Sequence, residues 1–545
     1  MTTELPSTRR RGVLAVVLVS LAVVVSAVPS LNVALPGLAR DTGASQTQLQ
    51  WIVDAYALVF AGLLLPAGAI GDRFGRKPVL VAGLAVFAAG AFAAATADDP
   101  TMIIAMRAVS GVGAAMVMPT TLSIITSSFP AAERGKAVGA WIGVAGAGAI
   151  FGLLSSGVLL QWFSWPSIFV FAGVLSAGTL LAAVAVIPNS RDTTAPRIDI
   201  VGGLLSALSL AGIVYGTIEG PHRGWTDPVS LAAFAAGALG GGLWLAWSLR
   251  TPEPMLDPRL FKVRGFATGV LSITVQFFVF FGMVFIVMQY LQLILDYTAL
   301  QAGLALTPMG VVIGGLSRRS PVIVGKIGQR RAAGIGLVLI AAGVLVLSRL
   351  DADASYWLLL CGLLPIGAGM AFATAPATTS IVDSLPAHKQ GVASAVNDAA
   401  REVGGTLGIA VLGSILNDGY RQGIADNAPS DAPPEAVHGA QESLAAATGI
   451  AHHLGARGEQ LGRVAVDAFI DGYAVAYTAS AALLVVTAAG IVALGPRGGR
   501  KAEEGTGTVP RPGRAASDGQ PDHADIPRNS NIAADGALAA DATGS

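Results

Sequence analysis

The sequence predicts an all-α polytopic membrane protein with about fourteen transmembrane helices. Its 545 residues are 53% hydrophobic and only 12% charged, with a mean hydropathy of +0.64. A soluble domain of this length does not need so much apolar surface. Apolar runs of about twenty residues, the length that a membrane-crossing helix needs, recur along the chain. The 68 glycines suit close helix packing within a bilayer.

The apolar runs predict where each span begins and ends. Residues 1–12 form a cytoplasmic N-terminus whose basic residues, followed by an apolar run, are also typical of a signal peptide. Because many further apolar runs follow, we expect an uncleaved first helix. We predict spans over 13–37, 51–71, 79–98, 102–127, 136–160, 166–187, 200–218, 229–249, 267–294, 301–318, 332–348, 355–380, 402–420 and 473–494.

Basic residues support an even number of spans. Loops on one predicted side carry groups of arginine and lysine, whereas the short loops on the other side carry mainly Arg40, Arg223 and Arg349. Cytoplasmic loops hold the excess of basic residues in membrane proteins. Arginine outnumbers lysine, which is typical of a GC-rich bacterial coding sequence. We therefore expect a bacterial plasma membrane protein with both termini in the cytoplasm.

Two segments are too polar to cross a membrane. Residues 421–470 mix Pro, Asp, His and Glu between the last two spans, and we expect them to form an outer loop. Residues 496–545 are rich in Gly, Pro, Asp and Ala, which predicts a disordered cytoplasmic tail. The net charge of zero indicates no nucleic-acid partner, and the single Cys361 excludes an intrachain disulfide.

The charged stretch Gly71–Pro78 lies between two apolar runs and reads GDRFGRKP. It predicts a tight turn between two membrane helices, because glycines permit positive φ or close backbone approach. Its basic residues favour the cytoplasmic side, so a loop that only sets topology is one interpretation. The candidate functional residues of this turn are Gly71, Asp72, Arg73, Gly75, Arg76 and Lys77.

Two ionisable residues of opposite sign lie inside predicted spans. Asp54 lies one turn into the second span, and Arg107 lies about six residues, or roughly 9 Å, into the fourth. Both helices enter from the outside, so we expect the two side chains to line one cavity. Burial and a neighbouring arginine act in opposite directions on a carboxyl's affinity for protons, as a proton-exchanging group requires. A static ion pair, or an Asp54 that merely reaches outer water, is the alternative interpretation.

Other polar residues are weaker candidates. Asn32, Tyr56, Gln289 and Tyr290 are the candidate substrate-cavity residues, the last two following an aromatic run that begins at Phe277. Lipid-facing aromatic residues are the alternative interpretation of that run. A gate salt bridge is predicted at the cytoplasmic mouth of the thirteenth span, among Asp398, Arg401 and Glu402.

The turn at Gly71–Lys77 and the pattern around Arg107, IIAMRAVSGVGAA, resemble two signatures of the major facilitator superfamily. With about fourteen spans, the chain is similar to the fourteen-span drug:proton antiporter branch. The resemblance implies two six-helix bundles, at 13–187 and 266–495, with two inserted helices within 188–265. It also implies alternating access, a role for the turn as a conformational latch, and participation of Arg107 in proton transfer.

The sequence departs from this branch at three places. An acidic residue that the branch often has in the first helix is Ala27 here. The fifth-helix signature survives only as Gly146, Gly148, Gly152 and Gly157. Leu153 replaces its proline and Ser156 one of its glycines, so we expect a helix kink to be lost. The usual Trp-Arg before the sixth span reads Trp165-Pro166. Because Ala27 stands where the branch often has an acidic residue, Asp54 is the candidate to take over the role of that residue.

These observations favour a monomeric, proton-coupled exporter of hydrophobic or amphipathic small molecules. The alternatives are a facilitator or importer of a polar metabolite without proton antiport, and a transport-inactive membrane sensor. The sequence carries no nucleophile–base set, no phosphate-binding loop and no metal-ligand spacing, so we expect neither an enzyme nor a cofactor or metal. The predicted partners are a small-molecule substrate, protons and the lipid bilayer.

Overall fold

The computed structural model describes residues 6–190, 199–385, 390–430, 432–454 and 456–495. Their regular secondary structure is entirely helical. The α-helices are α1 (Ser7–Thr42), α2 (Gln46–Phe74), α3 (Arg76–Ala95), α4 (Pro100–Ser128), α5 (Ala131–Leu159), α6 (Pro166–Val186), α7 (Ile200–Arg223), α8 (Pro228–Arg250), α9 (Arg264–Leu293), α10 (Ala299–Ser317), α11 (Ser320–Ile327), α12 (Gln329–Leu347), α13 (Tyr356–Asp383), α14 (Gln390–Asn427), α15 (Pro434–Glu442), α16 (Leu444–Leu454) and α17 (Ala456–Leu494).

Within these residues, thirteen helices are long and apolar enough to cross a membrane, and α5 adds a fourteenth as one bent span. The predicted number of spans is therefore confirmed. Several helices extend beyond the predicted spans; α1 begins at Ser7, so the basic residues before the first apolar run are already helical. The predicted disordered tail, 496–545, lies outside the described residues.

The helix α5 is bent by 43° between its segments Glu133–Ala145 and Ala147–Leu159. The bend lies upstream of Leu153, and the second segment runs through that residue, so the bend does not contradict the expectation that the missing proline removes a kink there. Sharp bends also occur where small residues leave the helix ladder weakly supported, and the sequence Ala145–Gly148 supplies two glycines here.

Two turns of the same construction mark one end of the molecule. Gly75, with φ of +117°, joins α2 directly to α3, and Gly328, with φ of +86°, joins α11 directly to α12. Only glycine adopts such positive φ values without strain. We call the end that carries these turns the latch face. The opposite end, where α15 and α16 lie, is called the cap face.

The helices pack in two groups joined by a bridging helix. Helices α1–α6 contact one another, as do α9, α10, α12, α13, α14 and α17. Between the groups, α7 packs against both α2 and α14. Glu219 of α7 accepts a hydrogen bond from the Trp51 indole of α2 (2.9 Å), and the Ser414 hydroxyl of α14 donates to the Thr217 carbonyl (2.7 Å).

Residues 421–470, which the sequence predicts only as an outer polar loop, fold into a helical cap. The cap consists of the end of α14, the helices α15 and α16, and the start of α17. The Tyr420 hydroxyl donates to the Ala440 carbonyl (2.7 Å), and Arg421 pairs with Glu442 (3.6 Å). Helix α16 also contacts α1, so the cap reaches from the second helix group to the first.

Candidate transport site

A narrow cavity lies between the two helix groups. Its wall is formed by α1, α2, α4 and α5 on one side and by α9 and α14 on the other. Apolar and aromatic side chains dominate this wall, including Phe60 and Phe281, while Tyr56, Arg401 and Glu402 supply its polar groups. The cavity volume is about 40 Å³. Drug-sized pockets occupy roughly 300 Å³ or more, so the bundles or side chains must move before a large substrate can bind.

The charged residues of α14 lie deeper than the sequence predicts. Because α14 begins at Gln390, Asp398, Arg401 and Glu402 are well inside the helix rather than at its mouth. They occupy positions i, i+3 and i+4, which share one helix face. Arg401 stacks over the Phe277 ring at 4.6 Å and lies 4.0 Å from the Asp398 carboxylate. The signal that sequence reasoning missed is the apolar pattern of Val392–Ala399, which continues the helix upstream.

Hydrogen bonds between the two groups close the cap-face side of this cavity. The Gln50 amide of α2 donates to the carbonyls of Ile409 and Ala410 in α14, both at 3.4 Å. The Asn417 amide donates to the Thr47 hydroxyl at 3.2 Å. A third link joins α9 to α1, where the Gln292 amide donates to the Val33 carbonyl at 3.0 Å.

Small residues bring α5 and α10 together on the same side. A Cβ added at Gly157 would lie 2.8 Å from the Leu300 Cα, and one at Gly303 would lie 3.1 Å from the Leu153 carbonyl oxygen. Toward the latch face the two helices separate. A Cβ added at Gly143 of α5 or Gly314 of α10 would meet no atom of the described side chains within 4 Å. The contact between α5 and α10 is therefore close toward the cap face and open toward the latch face.

Asp54 lies in the closed part of the interface. Its side chain is fully buried, and neither carboxylate oxygen has a hydrogen-bond partner among the described residues. One turn away on the same face of α2, Gln50 bonds to α14, and Ala57 lines the cavity beside Thr406. This spacing places Asp54 between α2 and α14, on the cap side of the cavity.

Arg107 is also buried, and it contacts a different face of α2. Its Nε donates to the Ile52 carbonyl at 3.0 Å, and its guanidinium lies 4.3 Å from the centre of the Tyr56 ring. Residues two apart in a helix point about 200° away from each other. Asp54, which lies between Ile52 and Tyr56 in sequence, thus points to the opposite side of α2. The described residues contain no ion pair between Asp54 and Arg107, so the direct interaction that would make them a static pair is not formed.

The candidate substrate-cavity residues divide into two groups. Tyr56 lines the cavity, and Asn32 lies one turn beyond the cavity residue Val28, with its buried amide lacking a partner among the described residues. Gln289 donates to the Phe285 carbonyl within its own helix at 3.3 Å. The Tyr290 hydroxyl donates to the Asp351 carbonyl at 2.7 Å, so it anchors α9 to the loop after α12 rather than lining the cavity.

The predicted turn between α2 and α3 makes its contacts within the first helix group. Asp72 pairs with Arg76 at 3.0 Å, and the Lys77 ammonium donates to the Val184 carbonyl of α6 at 2.7 Å. A Cβ added at Gly71 would lie 3.1 Å from the Thr120 hydroxyl of α4, and one at Gly75 would lie 3.0 Å from the Asn189 side-chain oxygen. The last of the turn's candidate residues, Arg73, is exposed. None of these contacts joins the turn to the second group.

A sequence model of the Major Facilitator Superfamily matches residues 13–409. The chain belongs to this superfamily. It is 34% identical to the multidrug efflux pump LfrA of Mycolicibacterium smegmatis, over 89% of this chain and 97% of that protein. It is also 34% identical to the puromycin resistance protein Pur8 of Streptomyces alboniger, over 82% and 90%. The tetracenomycin C resistance and export protein of Streptomyces glaucescens is 30% identical, over 92% and 94%.

The superfamily fold is also found among solved structures. A bacterial homologue of the human lysosomal transporter Spinster, in an inward-facing and unoccupied conformation, superimposes with a TM-score of 0.64 at 17% identity. The match covers 90% of this chain and 97% of that one. The protein is therefore a multi-pass membrane protein of a transporter superfamily, not an enzyme, as the sequence predicts.

Proposed function

We propose that this protein exports hydrophobic or amphipathic small molecules, driven by protons, through alternating access of its two helix groups. The observation that carries the proposal is the cavity between the groups, which is largely apolar, contains charged residues, and is closed on one face only. Relatives that align over most of their length are named as efflux pumps and antibiotic resistance proteins. A mostly apolar wall with few polar groups suits ligands of this class.

The distribution of basic residues supports a cytoplasmic latch face. The turn at this face carries Arg73, Arg76 and Lys77, and the end of α10 adds Arg318 and Arg319. Excess positive charge marks the cytoplasmic side of a membrane protein. Both termini would then be cytoplasmic in a bacterial inner membrane, and the described conformation would be the one that faces the cytoplasm.

Asp54 is the proposed proton-exchanging residue. An ionised carboxylate without a partner is costly inside a membrane protein, so the closed cap face suits a protonated Asp54. Separation of α2 from α14 at the cap face would expose the carboxyl to the outer medium. The same movement that releases substrate outward would therefore give Asp54 access to external protons.

Arg107 and the turn at Gly71–Lys77 have supporting roles in this proposal. Arg107 holds α2 through the Ile52 carbonyl and the Tyr56 ring, and it therefore influences Asp54 through the helix between them. The turn would act as a latch in the opposite conformation, where the latch face closes. The moving units would be residues 13–187 and 266–495. Residues of both units line the cavity, so a monomer would be able to form the transport pathway.

The substitution Asp54→Asn tests the proposal. In proteoliposomes we expect this variant to lose export driven by a pH gradient while its membrane level stays unchanged, because the amide cannot exchange a proton. Asp353→Asn, at an exposed loop position, is the matched control and should export normally. Full export by Asp54→Asn would remove Asp54 from the mechanism. Wild-type transport that is equally fast without a pH gradient would instead support a facilitator.

A further inference from the structure

A second cavity lies inside the first helix group, apart from the cavity between the groups. Its wall is formed by α1, α3, α4 and α6 and includes Ala27, Ser30, Arg107 and Phe169. The volume is about 30 Å³. Since a single water needs roughly 10–15 Å³ by this measure, the space is enough for about two waters or one small ion. A drug or a lipid headgroup is too large for it.

Arg107 brings a positive charge to this cavity. Its side chain is 3% exposed, and its Nη2 group has no hydrogen-bond acceptor among the described residues. An arginine stays protonated in proteins, so the charge cannot be removed by loss of a proton. The Ile52 carbonyl and the Tyr56 ring supply partial negative charge only.

No carboxylate compensates this charge within the described part of the chain. The cavity wall contains neither aspartate nor glutamate, and Asp54 points to the opposite side of α2. A buried charge without a counter-charge is strongly destabilising. Water in the cavity can accept hydrogen bonds from the guanidinium, but it leaves the net charge in place.

The same wall offers a second hydrogen-bond donor. Ser26 and Ser110 donate their hydroxyls to the backbone carbonyls of Val23 and Met106. Ser30 also lines the cavity, where its hydroxyl makes no hydrogen bond to another described residue and would lie 2.9 Å from a Cβ added at Gly152 of α5. A guanidinium and a free hydroxyl around a space of this size form a donor set for a small anion.

We propose that this cavity binds a small monovalent anion, chloride being the abundant one, against Arg107 and Ser30. The anion neutralises the buried guanidinium and fixes its position beneath Tyr56 and Ile52 of α2. It stabilises the first helix group whether or not the protein exports drugs, so the inference does not rest on the proposed function.

The test compares the thermal unfolding of purified protein in sodium chloride and in sodium gluconate at equal ionic strength. Gluconate is too large for the cavity. A ligand that binds only the folded state adds RT ln(1 + c/Kd) to the free energy of unfolding, where c is the free ligand concentration, so the Tm rises with the logarithm of c above Kd. We expect chloride, and likewise bromide, to raise the Tm of the wild-type protein by a few degrees, with a rise that follows the logarithm of the anion concentration above Kd. Identical unfolding curves in chloride and gluconate would overturn the proposal.

The substitution Ala27→Glu places a carboxylate in the same cavity. We expect its Tm to be the same in chloride and gluconate, because the built-in charge replaces the anion. Ala27→Gln is the matched control: it fills the space without a charge, so it should lose the chloride effect but unfold at a lower temperature than Ala27→Glu. Ser30→Ala should raise the chloride concentration at which the Tm begins to rise, because the anion loses one hydrogen-bond donor. A chloride effect of wild-type size in Ala27→Glu would place the anion elsewhere and overturn the proposal.

Discussion

The two halves of the interface between the helix groups are built differently. Toward the cap face, Gly157 and Gly303 let α5 and α10 approach closely, and the amides of Gln50, Asn417 and Gln292 bond across the interface. Toward the latch face, the same two helices separate, and among the described residues the close contacts of the turn at Gly71–Lys77 stay within its own helix group.

This difference shows what holds one conformation of the molecule. Closure at the cap face depends on backbone-to-backbone packing of small residues, and polar side chains add a smaller, directional contribution. The exposed glycines of α5 and α10 near the latch face suit the same kind of packing when that face closes instead. A transporter that alternates between two closures needs both contact surfaces, each used in turn.

The largest effect is expected from bulky residues in the glycine contact. Gly157→Leu should push α10 away and disfavour closure of the cap face, since overpacking costs about 1–3 kcal/mol. We expect export to fall about tenfold or more. The labelling assay uses a Cys361→Ser background in which Ala145→Cys supplies the one thiol, in the cavity wall. In this background, a membrane-impermeant thiol reagent added outside should label that cysteine when Gly157→Leu is also present.

The matched control for this prediction is Gly143→Leu on the same helix. Its side chain meets open space in the described conformation, so it should disfavour closure of the latch face and leave Ala145→Cys protected from outside. Equal labelling of the two variants would contradict the division of the interface into two alternately used halves.

An intermediate effect is expected from the hydrogen bonds between α2 and α14. Gln50→Ala removes an amide that bonds to two carbonyls of α14. A typical hydrogen bond contributes about 1 kcal/mol, which corresponds to roughly a fivefold shift toward the conformation open at the cap face. The same labelling assay measures this shift. If Gln50→Ala labels no faster than its parent, the hydrogen bond does not help to close the cap face.

The smallest effect, on stability, is expected in the turn of the latch face. Asp72→Asn breaks only the ion pair that crosses the turn to Arg76 in the described conformation, and a pair that solvent reaches contributes about 0.2–1 kcal/mol. The Tm of the purified variant should therefore stay close to that of the parent. If the turn acts as a latch in the other conformation, export should nevertheless fall. Normal export together with normal stability would remove the latch role.

The sequence alone determined the membrane architecture. Apolar runs long enough to cross a bilayer gave the number of spans, because a helix in lipid must satisfy its backbone hydrogen bonds within itself. The glycine turn at Gly75 and the burial of Asp54 and Arg107 were equally readable, since each depends on local conformation or on position within a span.

Only the tertiary structure decided which groups meet. Asp54 and Arg107 lie at similar depth in the membrane. Asp54 nevertheless projects from the face of α2 that is about 200° around the helix axis from the face that Arg107 contacts. Arg401 and Glu402 line the cavity because α14 begins upstream of its most apolar part. Residues 421–470 form a helical cap through contacts with segments distant in sequence. The side to which a helical residue points, and the segments against which the cap packs, depend on contacts between helices far apart in sequence. Local hydropathy carries no information about those contacts.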